Sequence, residues 1–230
     1  MKVCLINTYD LGHQPFGIAS LARWLEDEGA NVKCLDLSVE CIDEDAVKSA
    51  GLIAIYLPMH TATRLAIEIL PKIKNLNSSA HLAFYGLYAT INKDLLRSLG
   101  GKTIISGEFE DSLVQLYQQL VGSTFVSDSG LVSLKRQNFR KPKRSGLPNL
   151  NHYAKLINGQ AQSITVGYTE GTRGCKHICR HCPIVPVYNG RFFVVQPDVV
   201  MEDIRQQVEA GAEHITFGDP DFFNGPGHAL

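Results

Sequence analysis

Short apolar runs alternate with helically spaced apolar positions over the first half of the chain. Val3–Ile6, Val32–Leu37, Leu52–Leu57, Leu82–Tyr85 and Thr103–Ser106 are runs of strand length. Between them, Ile18, Leu21, Ala22 and Leu25 recur at the i, i+3, i+4, i+7 spacing of one helical face. Leu65, Ile69 and Ile73 make a second stripe, and Leu113, Leu116, Tyr117 and Leu120 a third. Gly29 follows the first stripe where a helix closes through a left-handed residue. Apolar strands each followed by a helix predict an α/β domain, a doubly wound parallel sheet covered on both faces. In such sheets ligands collect beyond the C-terminal strand ends, so the residues just after each strand are the informative ones.

The pattern changes after residue 122. Residues 123–160 are rich in Ser, Gly, Asn and Pro and carry Lys135, Arg136, Arg140, Lys141, Lys143 and Arg144 around Phe139. This composition predicts a linker, and its cations present a surface that can meet RNA or a phosphate. A second unit follows over 161–230. "SITVGYTEG" reads as a strand and "QPDVVMEDIRQQVEAGA" as a helix with Pro197 in its first turn and Gly211 at its close. Val200, Ile204 and Val208 are its expected buried stripe, and "HITFGDPDFF" is the next strand.

Composition adds bounds. The 230 residues are 44% hydrophobic and 20% charged, with a formal net charge of −1, which describes a globular chain without a global pull toward nucleic acid or anionic membrane. The N-terminus lacks the apolar core and cleavage site of a signal peptide, and no run reaches the ~20 apolar residues of a membrane span. The expectation is a cytoplasmic protein. Cys4, Cys34 and Cys41 are scattered and read as isolated thiols rather than a disulfide framework.

The other three cysteines are clustered. "TEGTRGCKHICRHCPI" places Cys175, Cys179 and Cys182 at C-x3-C-x2-C spacing, directly after a strand and before a helix. Zinc in a structural site takes four ligands, and His177 or His181 is available to complete a Cys3His set. An iron–sulfur cluster is the alternative, and three thiolates would leave one iron of a four-iron cluster open for a reactant. A zinc-stabilised module that touches RNA through the basic linker is therefore one reading, and an open-cluster enzyme the other.

The loop resembles the signature of the radical S-adenosylmethionine superfamily, C-x3-C-x-φ-C, with His181 at the usually aromatic φ position. The resemblance implies a [4Fe–4S] cluster on Cys175, Cys179 and Cys182, with S-adenosylmethionine on the fourth iron, cleaved to a 5′-deoxyadenosyl radical. It also implies an electron donor such as flavodoxin or ferredoxin and a small-molecule or peptide substrate. Gly218, Asp219 and Asp221 stand where the superfamily binds the amino group of S-adenosylmethionine, and His181 where adenine is met. The stretch over residues 147–230 is similar to a subgroup named for a CUAEP or CCAEP tail, although that tail is absent here.

A doubly wound domain ahead of such a core resembles the cobalamin-binding arrangement. On this resemblance the first domain, flavodoxin/Rossmann-like over 1–122, offers His13, Tyr56, Gly86, Gly107 and Glu108 toward cobalamin, as in a radical methyltransferase. Tyr85 replaces a glycine of the family turn, and Asp10-Leu-Gly-His13 departs from the Asp-x-His-x-x-Gly cobalt-ligand spacing. Residues 161–230 would then be the first strand–helix–strand unit of a partial (β/α)6 barrel. On this reading the chain is a fragment, inactive alone.

Overall fold

The computed structural model describes residues 1–122, 131–157, 159, 162–225 and 227. Strands β1 (Lys2–Asn7), β2 (Asn31–Asp36), β3 (Leu52–Tyr56), β4 (His81–Tyr85), β5 (Thr103–Gly107) and β6 (Leu131–Ser133) form a sheet in the order β2-β1-β3-β4-β5-β6. Every neighbouring pair is parallel. β3 and β5 are buried along their whole length, as expected of strands covered on both faces. Helices α1 (Phe16–Asp27) and α5 (Phe109–Val121) cover one face, and α2 (Glu44–Ser49), α3 (His60–Leu76) and α4 (Lys93–Ser98) the other. The first domain is thus a doubly wound, flavodoxin/Rossmann-like sheet.

The predicted stripe of α1 is fully buried, and that of α5 holds at Leu113, Leu116 and Tyr117. The stripe of α3 is rotated: Ala62, Ala66, Leu70 and Ile73 face the sheet, while Leu65 and Ile69 are only partly covered. The two alanines let this helix approach the strands closely, a preference that larger apolar residues nearby masked in the periodicity. β6 was unforeseen, since residues 131–133 lie inside the stretch read as linker.

Beyond it, β7 (Lys155–Ile157) pairs antiparallel with β8 (Ser163–Thr169), and β8 pairs in parallel with β11 (His214–Phe217). The crossover carries β9 (Thr172–Gly174), α6 (Val185–Tyr188), β10 (Phe192–Val194) and α7 (Pro197–Glu209), with β9 and β10 paired as an antiparallel ribbon. The expected buried stripe of α7 is corrected. Asp203 and Gln207 are buried at 1% exposure each, whereas Val208 is 54% exposed. The inward face of this helix is polar because it meets a cation. Arg144 donates to both Asp203 oxygens, at 3.0 and 2.8 Å, and to the Tyr168 carbonyl at 2.7 Å. It also reaches the Gln14 side chain at 3.2 Å. A supposed linker cation is therefore a buried strut between the two halves of the chain. Lys143 pairs with Glu26 at 2.5 Å, and Arg140 pairs with Asp27 at 2.8 Å and lies over the Trp24 ring. Half of the six basic residues offered for RNA are thus committed to the protein itself. No helix among the described residues is long and apolar enough to cross a membrane.

Candidate functional site

The three clustered cysteines lie on the loop from β9 to α6, at the C-terminal side of β8. Gly174 starts this loop with φ +76°, and a side chain there would strike the Tyr188 ring, so glycine is required. All three thiols are free; Cys179 is exposed, and Cys175 and Cys182 are half-buried. The acidic turn after β11 braces the loop. Asp221 accepts from Cys175 Sγ at 3.1 Å, from the Lys176 N–H at 3.3 Å and from Asn224 at 2.7 Å. Asp219 accepts from the Gly171 N–H at 3.1 Å and from the Thr172 hydroxyl. Asp219, expected to meet an ammonium, thus also braces the start of the loop. Gly218 packs directly on the Tyr168 ring. His181 is exposed on the loop and is not among the groups lining the cleft described below.

Among the described residues no three His, Cys, Asp or Glu side chains converge on a position for one metal ion. Three thiols spaced along one loop suit an iron–sulfur cluster, whose thiolates each take a different iron, better than a single tetrahedral zinc. The donor set therefore fits the cluster that the loop implies.

The loop is fastened to the first domain on both flanks. Arg173, two residues before Cys175, donates to Glu110 at 2.6 and 2.9 Å, to Glu108 at 3.5 Å and to Glu170 at 3.2 Å. Tyr188, at the end of α6, donates its hydroxyl to Glu108 at 3.1 Å. Ser20 and Gln137 complete the shell of Glu110 at 2.8 and 2.7 Å. Burial opposes charge on Glu110, but the Arg173 charge and these donors outweigh it and hold the carboxyl below its ordinary value. Burial pushes Glu108 up to about 7, with Arg173 offsetting only part of the effect. Glu108, expected to face cobalamin, is thus a buried anchor for the cysteine loop.

Between the C-terminal ends of β1, β3, β4 and β5 and those of β8 and β11 lies a cleft of about 240 Å³. Asp10, Tyr56, Tyr168, Glu170 and Arg173 line it, with Gly86 and Gly107 at its floor. Burial pushes Glu170 up to about 7 against the opposing charge of Arg173. Burial also holds Asp10 well above the carboxylate range, with Glu170 and Asp36 adding to the effect. Asp10 precedes a strained turn in which Leu11 has φ +51°. None of Asp10, Glu170, Arg173 or Tyr168 was singled out from the sequence. The available signal was position alone, immediately after β1 or at the end of β8.

Of the residues expected to face cobalamin, Tyr56, Gly86 and Gly107 line the cleft, whereas His13 and Glu108 do not. His13 stacks on Tyr168 at 4.7 Å between ring centroids and is not among the cleft-lining groups. Burial holds its imidazole below the ordinary value. Gly86 and Gly107 are small because their own chain demands it: added side chains would meet the Leu57 and Ser133 carbonyls. The rings of Tyr56, Tyr85 and Phe109 pack together at the strand ends, and Tyr85 is sealed in the core. The cleft is smaller than the roughly 300–1,000 Å³ of pockets for drug-sized molecules, and it is open on one side.

No protein-family model matches the chain, and no curated protein matches it. Solved structures do. A radical S-adenosylmethionine methyltransferase, TsrM, from Kitasatospora setae with tryptophan substrate and a S-adenosylmethionine analogue bound is similar at TM-score 0.79 and 18% identity. The structure of TsrM with cobalamin and a [4Fe–4S] cluster bound is similar at TM-score 0.72 and 17% identity. In both cases the match covers 99% of this chain and 49% of the other, so the chain spans about half the length of those structures. At this identity the likeness is one of fold.

Proposed function

We propose that this chain is a radical S-adenosylmethionine protein that holds a [4Fe–4S] cluster on Cys175, Cys179 and Cys182. The observation that carries the reading is the placement of the C-x3-C-x2-C loop. It follows a parallel strand, carries three free thiols and is fastened by Arg173 and Tyr188 against the ligand-binding edge of a doubly wound domain. The fold shared with TsrM supports it. When bound, the cluster would supply one electron to the sulfonium of S-adenosylmethionine. The chain's own residues do the rest of what is visible: Asp219 and Asp221 brace the loop, and Arg173 positions it. Gly171 and Thr172 close the strand end around Asp219. The narrower kinship to the CUAEP or CCAEP subgroup rests on the stretch 147–230 and belongs to this proposal, as do a separate electron donor and a substrate reached from the open side of the cleft.

Anaerobic reconstitution with iron and sulfide tests it. The expected product is brown and carries roughly four irons, with an electron paramagnetic resonance signal that S-adenosylmethionine alters. One tightly bound zinc and no iron would instead favour the zinc-module reading.

A further inference from the structure

Asp10 presents an electrostatic imbalance that the cluster does not address. The residue is only 6% exposed and lines the cleft. No described residue donates a hydrogen bond to its carboxylate or forms an ion pair with it, whereas every other buried carboxylate nearby is partnered. Glu108, Glu110 and Glu170 share Arg173, and Asp203 has Arg144. Tyr56 and Tyr168 line the same cleft, and their hydroxyls have no hydrogen-bond partner among the described residues. Glu170 and Asp10 both raise the proton affinity of Tyr56 and Tyr168, and Glu170 raises that of Asp10. Of the four carboxylates around this edge, Glu108, Glu110 and Glu170 share Arg173, while among cations Asp10 feels only the charge of Arg144, which is itself bonded to Asp203. A buried polar group without a partner costs free energy, and a buried charge costs more, so such an arrangement calls for a cation with several donors.

We propose that the cleft binds the primary ammonium group of a small organic ligand, with Asp10 as counter-ion and the Tyr56 and Tyr168 hydroxyl oxygens as the remaining acceptors. Three N–H donors match the three acceptor groups, and the aromatic side chains of Tyr56, Tyr168 and Phe109 in the cleft lining favour a cation with an aromatic or aliphatic stem. A quaternary ammonium lacks the donors, and a carboxylate or phosphate would meet repulsion. Both a separate amine ligand and the amino group of S-adenosylmethionine carry this chemistry. The proposal is for a separate ligand, because Asp10 belongs to the first domain's β1 end rather than to the cysteine loop.

Calorimetric titration of the purified 230-residue chain with benzylamine, and with neutral benzyl alcohol of the same shape, tests the site without any cluster. The expected result is measurable benzylamine binding, weakened at least about tenfold by Asp10→Asn and less by Tyr168→Phe, with benzyl alcohol bound at least about tenfold more weakly. Asp10→Asn is isosteric, and an unchanged unfolding midpoint confirms that the variant is folded. Absent benzylamine binding, equal binding by Asp10→Asn, or equal binding of benzyl alcohol would each overturn the proposal. A second arm uses the reconstituted protein and labelled S-adenosylmethionine. Unchanged affinity in Asp10→Asn supports a separate ligand. Loss of affinity together with displacement by benzylamine would assign Asp10 to the amino group of S-adenosylmethionine and overturn it. Failure of reconstitution would bear on the cluster reading alone, since the first arm needs no iron.

Discussion

Arg173 and Glu110 meet at 2.6 Å across the boundary between the cysteine loop and the first domain, at 6% and 0% side-chain exposure. The pair is the principal bolt of the site. Removing Arg173 leaves the carboxylates it serves, Glu110 foremost, buried without compensation, so Arg173→Met is expected to cost about 3–5 kcal/mol in urea unfolding. Arg173→Lys should recover little, because an ammonium cannot reproduce the forked geometry that reaches Glu110, Glu108 and Glu170 together. Recovery by lysine to near the parent stability would show that the contact is a simple charge interaction.

Glu108 and Glu170 make stability depend on pH. Burial raises both to about 7, so the folded chain keeps protons that an unfolded glutamate releases near ~4.3. Their stabilising contribution is complete below that lower value and is lost as pH rises through about 7. Asp10 acts in the same direction. The depressed imidazole of His13 opposes them below ~6.5, one group against three. The urea midpoint is therefore expected to fall between pH 5 and pH 8, on the order of the window set by these values, and Glu170→Gln should flatten the profile. A midpoint that rises across that interval would contradict the assignment.

Asp219 holds the start of the cysteine loop through Gly171 and Thr172. Asp219→Ala should leave cluster assembly possible but speed its loss to a chelator several-fold, followed as bleaching of the visible absorbance. The cluster-free unfolding midpoint should change far less. Unaltered bleaching would limit Asp219 to a local turn.

The ring packing at the strand ends predicts that hydroxocobalamin is not retained. Desalting after incubation should separate the corrinoid from the protein, both as purified and after reconstitution. Stoichiometric co-elution would show that Tyr56, Tyr85 and Phe109 yield to a ligand much larger than the cleft.

The pattern of apolar runs was enough to place the first five strands and the faces of α1 and α5, because a strand buried on both sides must be apolar throughout. The face of α3 was misjudged, since periodicity weighs leucine and isoleucine above the alanines that allow close packing. The face of α7 was misjudged for the opposite reason. Its buried residues are Asp203 and Gln207, and nothing local reveals that Arg144, 59 positions before Asp203, meets that carboxylate or that the Tyr168 N–H meets Gln207.

Local chemistry is what a sequence carries well. The spacing of Cys175, Cys179 and Cys182, the strand before them and the acidic turn after β11 were all legible along the chain. Tertiary structure decided the tasks of the charged residues, because a buried charge is tolerated only where distant partners converge. It turned Glu108 into an anchor, Asp219 and Asp221 into braces and Arg144 into a strut. It left Asp10 at the cleft with no partner of its own. Spacing along the chain sets which atoms a loop can offer, and only the packing of the two sheets sets which of them remain free to act.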